Sequence, residues 1–289
     1  MRLVIRYASH FRYPSPVWES HNVLRACPTT DERQTLLQYA VVTSPPARVQ
    51  SWTDHWGTRV DAFGVRAPHD ALEIRAEAVV ETHPAGPMTC APAWRRLSEP
   101  GFVEAHLEYL EPSPHARWNE ALRAEAERRT APAGADVVGA VLSLHRYVGS
   151  TLEYVPGATE IGVDVSDVLR SRKGVCQDFA HLLIALLRSV GIPARYVSGY
   201  VLAAGEAEAG GAEVLPMKTH AWVEVAIPGA GWWGLDPTHR AEVGPRHVKI
   251  GHGRDYDDVL PLRGVYQGEG DPRFDVSVRI RREAQPSQQ

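Results

Sequence analysis

The sequence predicts an α+β protein: a buried helix that carries a cysteine packs on an antiparallel sheet, and an N-terminal β-rich, sandwich-like domain precedes it. Three observations carry this expectation. From Phe179 to Val190 apolar residues recur on every side of a helical repeat, the pattern of a helix buried all round. Over residues 1–85 period-two alternation dominates instead. Beyond the helix, two strand-like runs flank Pro228-Gly-Ala-Gly231, the punctuation of a hairpin.

Taken in order, residues 1–90 form the first unit. Leu3, Ile5 and Tyr7 alternate with Arg2, Val4 and Arg6, and Leu72-Glu-Ile-Arg-Ala-Glu-Ala-Val-Val-Glu81 alternates throughout. Residues 37–43 and 60–63 supply further strands, and prolines at 14, 16, 28, 45 and 46 read as punctuation between strands. Asp54-His-Trp-Gly-Thr-Arg59 is a hairpin turn in which Gly57 takes the unusual backbone angles. Its Asp and His are too few to hold a metal. Residues 91–114 continue a proline-rich run that starts at Pro84 and read as a connector.

The second unit spans 115–289. Helix formers fill 118–129, a second helix runs over 136–148 with Asp136 as N-cap, and a third covers 164–172, capped by Asp164 or Ser166. Val168 and Leu169 of that third helix face inward, and Gly174 gives a tight approach to the central helix. Gly191 and Pro193 end the central helix, the first by adopting the left-handed conformation and the second by forbidding continuation. A strand follows over 195–201, then a small, acidic surface excursion over 203–213 that borders a cleft. In His220-Ala-Trp-Val-Glu-Val225 the residues Ala221, Val223 and Val225 face one way, and His220, Trp222 and Glu224 the other.

Composition excludes several functions. A net charge of −4 offers no field for phosphate backbones or anionic membranes, so neither nucleic acid nor membrane is an expected partner. No apolar run reaches the length of a membrane span, which predicts a soluble, unprocessed protein. Cys27, Cys90 and Cys176 are odd in number and lack any CxxC spacing. A reducing, cytoplasmic setting is expected, without disulfides, metal or cofactor. Asp255-Tyr-Asp-Asp258 reads as a solvated turn, since a calcium loop needs about six or more spaced oxygen donors.

The chemistry lies elsewhere. Cys176 falls at a helix N-terminus, where free N–H groups and the helix dipole favour a thiolate; the alternative is a small buried hydrophobe. A cysteine nucleophile needs a base, and the base needs a group that fixes its tautomer and stabilises the imidazolium. Cys176, His220 and Asp236 fill these roles in chain order. A hairpin centred on Pro228 sets His220 directly opposite Asp236; one centred on Gly229 and Ala230 offsets them by about three residues and calls for a bulge.

Gly174-Val-Cys-Gln-Asp-Phe-Ala180, Gly191-Ile-Pro-Ala-Arg-Tyr-Val-Ser-Gly-Tyr200, His220-Ala-Trp-Val-Glu-Val225 and Gly231-Trp-Trp-Gly-Leu-Asp-Pro-Thr238 are words that closely resemble the core of bacterial transglutaminase-like proteins. These proteins lie within the papain-like thiol superfamily, with transglutaminases, peptide N-glycanases and some cysteine peptidases. The match extends to Tyr154-Val-Pro-Gly157, Arg246-His-Val, Gly253-Arg-Asp-Tyr-Asp-Asp-Val259 and Pro261-Leu-Arg-Gly264. Ser20-His-Asn-Val-Leu-Arg25 is a typical word of the β-domain that usually precedes this core.

The resemblance implies a papain/transglutaminase-like core with Cys176 as nucleophile, His220 as general base and acid, and Asp236 as orienting carboxylate. It implies an oxyanion site at the Cys176 N–H. Tyr154 and Gln177 are candidates for a second donor, with core packing and helix capping as their alternatives, and Trp222 lines the cleft or packs against the N-terminal domain. The implied reaction is cysteine-dependent acyl transfer from an amide through a thioester, on a protein or peptide. Hydrolysis is favoured because similar bacterial members lack the calcium-regulated apparatus of animal cross-linking enzymes. A protein-glutamine gamma-glutamyltransferase and a non-catalytic peptide-binding module are the alternatives; the words around Cys176 do not resemble arylamine acetyltransferases. The N-terminal domain is a candidate for restricting access or for dimerisation.

Overall fold

The computed structural model describes residues 1–160, 162–202 and 219–283, so the excursion expected over 203–213 lies outside the described residues. The N-terminal unit is one curled, seven-stranded sheet rather than two separate sheets. It is built from β1 (Arg2–Leu24), β2 (Gln34–Ser44), β3 (Gln50–Thr53), β4 (Arg59–Val65) and β5 (His69–Thr82), in the order β2-β5-β1-β4-β3.

Strand β1 runs straight through Pro14 and Pro16, which the sequence reading took as breaks. The prolines are tolerated because pairing with β5 slips between Arg12 and Val17, where no ladder bond needs their missing N–H. At Gly57, φ is +78°, as the β3–β4 turn requires.

The proline-rich connector is packed, not free. It holds α1 (Pro100–Ala105) between two 3-10 turns, and Leu97 is buried in the helical core with Trp94 and Phe102 against it. The buried Arg188 guanidinium donates to the carbonyls of Glu111, Ala194 and Arg254, which ties the connector to the core.

The second unit follows with α2 (Glu120–Thr130), α3 (Val137–Thr151), β6 (Glu153–Tyr154), α4 (Val165–Ser171), β7 (Lys173–Gly174) and α5 (Cys176–Ser189). Asn119, Asp136 and Asp164 cap α2, α3 and α4 through their side chains, satisfying N–H groups that have no partner within the helix. Every residue of α5 from Asp178 onward is buried, as the all-round apolar pattern predicts. Leu183 is fully buried there, and Leu183→Ala is expected to cost about 2–5 kcal/mol in denaturant unfolding through the cavity it leaves. At Gly191 φ is +79°, the left-handed residue that closes the helix.

Then come β8 (Ala194–Val201), β9 (His220–Ile227), β10 (Gly231–Asp236), β11 (Ala241–Glu242) and β12 (His247–Gly253), an antiparallel sheet in the order β11-β10-β9-β8-β12. Ala221, Val223 and Val225 face the α5 core, whereas Tyr200, Val248 and Ile250 enter the core of the N-terminal unit. The last strands, β13 (Leu262–Gln267) and β14 (Arg273–Arg282), were assigned by sequence to the 115–289 unit. They return to the first sheet and both pair with β1, a link between chain ends that local patterns cannot reveal.

Candidate active site

The site is assembled where α5 begins. Asp178, the third residue of the helix, turns back to accept the Val175 N–H at 2.7 Å and the Thr159 hydroxyl at 2.5 Å. Gly174 makes this possible: a Cβ there would stand 2.8 Å from the Asp178 Cβ. Gly174→Ala is therefore expected to cost about 1–3 kcal/mol in unfolding experiments and to displace the start of the helix that carries Cys176.

Cys176 is partly exposed and opens α5. The backbone N–H groups of Ala221, the residue after His220, and of Gln177 act to lower the pKa of its thiol. Burial nevertheless pushes its pKa up to about 11, with the N–H contacts opposing. The thiolate-favouring helix N-terminus is therefore opposed by desolvation, which raises the thiol pKa more than the N–H groups lower it.

Asp236 is fully buried at the end of β10 and is the most heavily bonded group in the site. Its Oδ2 accepts from His220 Nε2 at 2.8 Å, His239 Nδ1 at 2.7 Å and His247 Nε2 at 3.1 Å. Its Oδ1 accepts the N–H groups of Thr238 at 3.0 Å and His239 at 3.1 Å. Burial alone would raise the carboxyl pKa, but the three histidines outweigh it and hold Asp236 well below the usual carboxylate range. The bond to Asp236 raises the pKa of exposed His239. His145 of α3 is buried, and burial lowers its pKa against the raising effect of the Asp236 main chain and charge.

His220 and Asp236 meet by a route that neither predicted register described. Leu235 pairs with Val223, so the hairpin centres on Gly229, and Asp236 falls beside Trp222 with His220 two positions further along. An even offset keeps both side chains on one face, and the contact is diagonal without a bulge.

Tyr154 is exposed beside the cysteine: β6 pairs with β7 in register Tyr154 to Gly174, and the Tyr154 pKa is raised first by burial and then by Cys176. Gln177 is the second residue of α5, and its backbone N–H acts to lower the Cys176 pKa. Trp222 is buried, and its Nε1 has no partner among the described residues. The Asp255 turn departs from expectation, since Asp255 is 1% exposed and accepts the N–H groups of Asp257 and His115; it is a buried cap, not a solvated turn.

Sequence reasoning missed His145, His239 and His247. His239 lies three residues past Asp236, within reach of its carboxylate across a turn, and His247 stood in the word Arg246-His-Val, to which no role was attached. Ligand atoms of His220, Asp236 and His239 lie within 4.8 Å of one another. Both histidine nitrogens already bond Asp236 Oδ2, so a metal there competes with that set.

Residues 123–237 match the transglutaminase-like superfamily, and residues 3–81 match the bacterial transglutaminase-like N-terminal region. An uncharacterized Mycobacterium leprae protein, ML0607, is 36% identical over 281 residues, covering 97% of this chain and 99% of its own. A protein-glutamine gamma-glutamyltransferase of Pseudomonas aeruginosa is 35% identical over 152 residues, 48% of this chain and 22% of that protein. The crystal structure of a candidate cysteine protease from Cytophaga hutchinsonii superposes with a TM-score of 0.75 at 24% identity, covering 99% of this chain and 92% of that one.

Proposed function

Because the chain belongs to the transglutaminase-like superfamily, with the bacterial N-terminal region ahead of its core, we propose that it transfers the acyl group of a protein or peptide amide through a thioester on Cys176 to water. The observation that supports this reading is the His220–Asp236 hydrogen bond, taken together with a cysteine in the first turn of α5. With Nε2–H given to Asp236, the other ring nitrogen of His220 is left to accept the Cys176 proton. As sulfur attacks the carbonyl carbon, the proton moves to His220, and the ionised Asp236 stabilises the imidazolium. The backbone N–H of Cys176 receives the oxyanion, with Tyr154 or Gln177 as candidate second donor and Trp222 packed behind His220. His220 then protonates the departing amine, leaving a thioester. Water, deprotonated by His220, releases the acid and restores the thiol.

A second reading replaces water with a lysine or other primary amine, and the Pseudomonas relative is what favours it. The test incubates the protein with glutamine-containing peptides, with and without a small primary amine, and follows ammonia and peptide mass. Backbone cleavage, or glutamine converted to glutamate even when amine is present, supports hydrolysis; amine incorporation supports cross-linking. Cys176→Ser is expected to abolish either, and activity retained in that variant would overturn both. No described helix is long and apolar enough to cross a membrane, and the three cysteines are free. We assign the protein to the reducing cytoplasm on the second fact.

A further inference from the structure

Two histidines on the Asp236 carboxylate take no part in the proposed reaction, and one of them is tied to the N-terminal unit. His247 is buried and donates from Nε2 to Oδ2, the oxygen that also serves His220. Its tautomer is set from behind: the Gly244 N–H donates to Nδ1 at 3.2 Å, so the ring proton sits on Nε2 and points at Asp236. The Trp222 ring stands edge-on to His247, its centroid 5.4 Å away, and crosses β8 at Gly199, where any side chain would collide with it.

His247 opens β12, and the N-terminal unit grips this strand on both sides of it. Two residues before, the Thr82 hydroxyl at the end of β5 donates to the Pro245 carbonyl at 2.7 Å. Two residues after, the Gln34 side-chain amide exchanges two bonds with the Lys249 main chain, each 2.8 Å. The Thr29 N–H adds a third contact to the Lys249 carbonyl at 3.0 Å. Between and beyond these points Val248 and Ile250 are buried in the N-terminal core. The clamp acts on the backbone of β12, so a shift of the N-terminal unit moves the His247 donor relative to Asp236.

We propose that His247 is a positioning residue for Asp236, and that the N-terminal domain serves the reaction by clamping β12 so that His247 stays on the carboxylate. This rests on the reading of Cys176, His220 and Asp236 given above. Oδ2 takes bonds from His220, His239 and His247, and Oδ1 takes two N–H groups from residues 238 and 239. His239 belongs to the same turn as Asp236 and is exposed, so His247 is the buried partner that fixes the carboxylate from a separate strand, and His220 inherits that orientation. Outer partners of metal-binding histidines typically govern about ten- to a hundredfold in function, and an effect of that order is expected of His247 on Asp236.

The test uses the full chain and needs no substrate. The second-order rate constant for iodoacetamide labelling of Cys176 at neutral pH, mapped by mass spectrometry, is measured with the thermal midpoint for His247→Ala, His247→Gln and the double variant Gln34→Ala/Thr82→Val. His247→Ala is expected to slow labelling about tenfold or more. His247→Gln keeps an N–H donor and is expected to return the rate to within about threefold of wild type, with the clamp variant slowed about two- to fivefold. A purely structural role would move the thermal midpoint and the labelled fraction while leaving the rate constant of the folded protein unchanged. Wild-type rate in His247→Ala overturns the positioning role, and wild-type rate in the clamp variant overturns the part given to the N-terminal domain. His220→Ala separates the two readings: slow labelling there beside a wild-type rate in His247→Ala sinks only this proposal, whereas a wild-type rate in His220→Ala sinks the triad and this proposal with it.

Discussion

Alanine at His220 is expected to make Cys176 nearly inert at neutral pH. With its partner base gone, nothing accepts the thiol proton, and burial continues to hold the thiol pKa above its ordinary value. Labelling by iodoacetamide should fall at least about a hundredfold and recover only as pH climbs toward 11. Turnover should fall by about 10⁵- to 10⁶-fold, since the thiol has no acceptor and the leaving amine no donor. The wild-type protein is expected to label readily at neutral pH because proton transfer within the pair creates thiolate and imidazolium together, with ionised Asp236 behind the second. If Cys176 in His220→Ala labels as fast as in wild type, the two residues do not act as a pair.

Loss of Asp236 carries the second large effect, and it combines stability with activity. Asp236→Ala strands three histidine donors and two backbone N–H groups around a fully buried position, and should cost about 3–5 kcal/mol in denaturant unfolding. Asp236→Asn keeps the shape but offers only one acceptor oxygen, and its N–H₂ group faces donors. It should fold better than the alanine variant yet lose about 10⁴-fold in turnover, because His220 no longer holds the right tautomer. A variant at Asp236 with near-wild-type turnover would remove this carboxylate from the mechanism.

The same group sets an acid limit. The native carboxyl is held far below its unfolded value of about 3.9, so its contribution is fully present above about pH 5 and is lost as pH falls through the unfolded value toward the native one. Between pH 5 and pH 3 the wild type should lose more stability than Asp236→Asn, whose side chain does not titrate. Cys176 works in the opposite sense at the alkaline end. Its raised pKa adds stability that is complete below about pH 8.5 and is lost as pH rises toward 11.

The sequence determined several elements whose cause is local. The all-round apolar run of α5, its closure at Gly191, the caps at Asp136 and Asp164, and the alternation of β5 and β9 each depend on residues within a few positions, and each was legible. Cys176, His220 and Asp236 could be named as candidates from the sequence, and of these the structure joins His220 to Asp236.

Tertiary structure alone decided what depends on residues far apart in the chain. The two-residue offset of the β9–β10 hairpin, the return of β13 and β14 to β1, and the gathering of His220, His239 and His247 on one carboxylate are pairings whose energy comes from burial that no local pattern encodes. The state of the Cys176 thiol belongs with them. A helix N-terminus favours the thiolate, and that much is readable from position; the desolvation that overrides it comes from elements brought against α5 only when the chain folds.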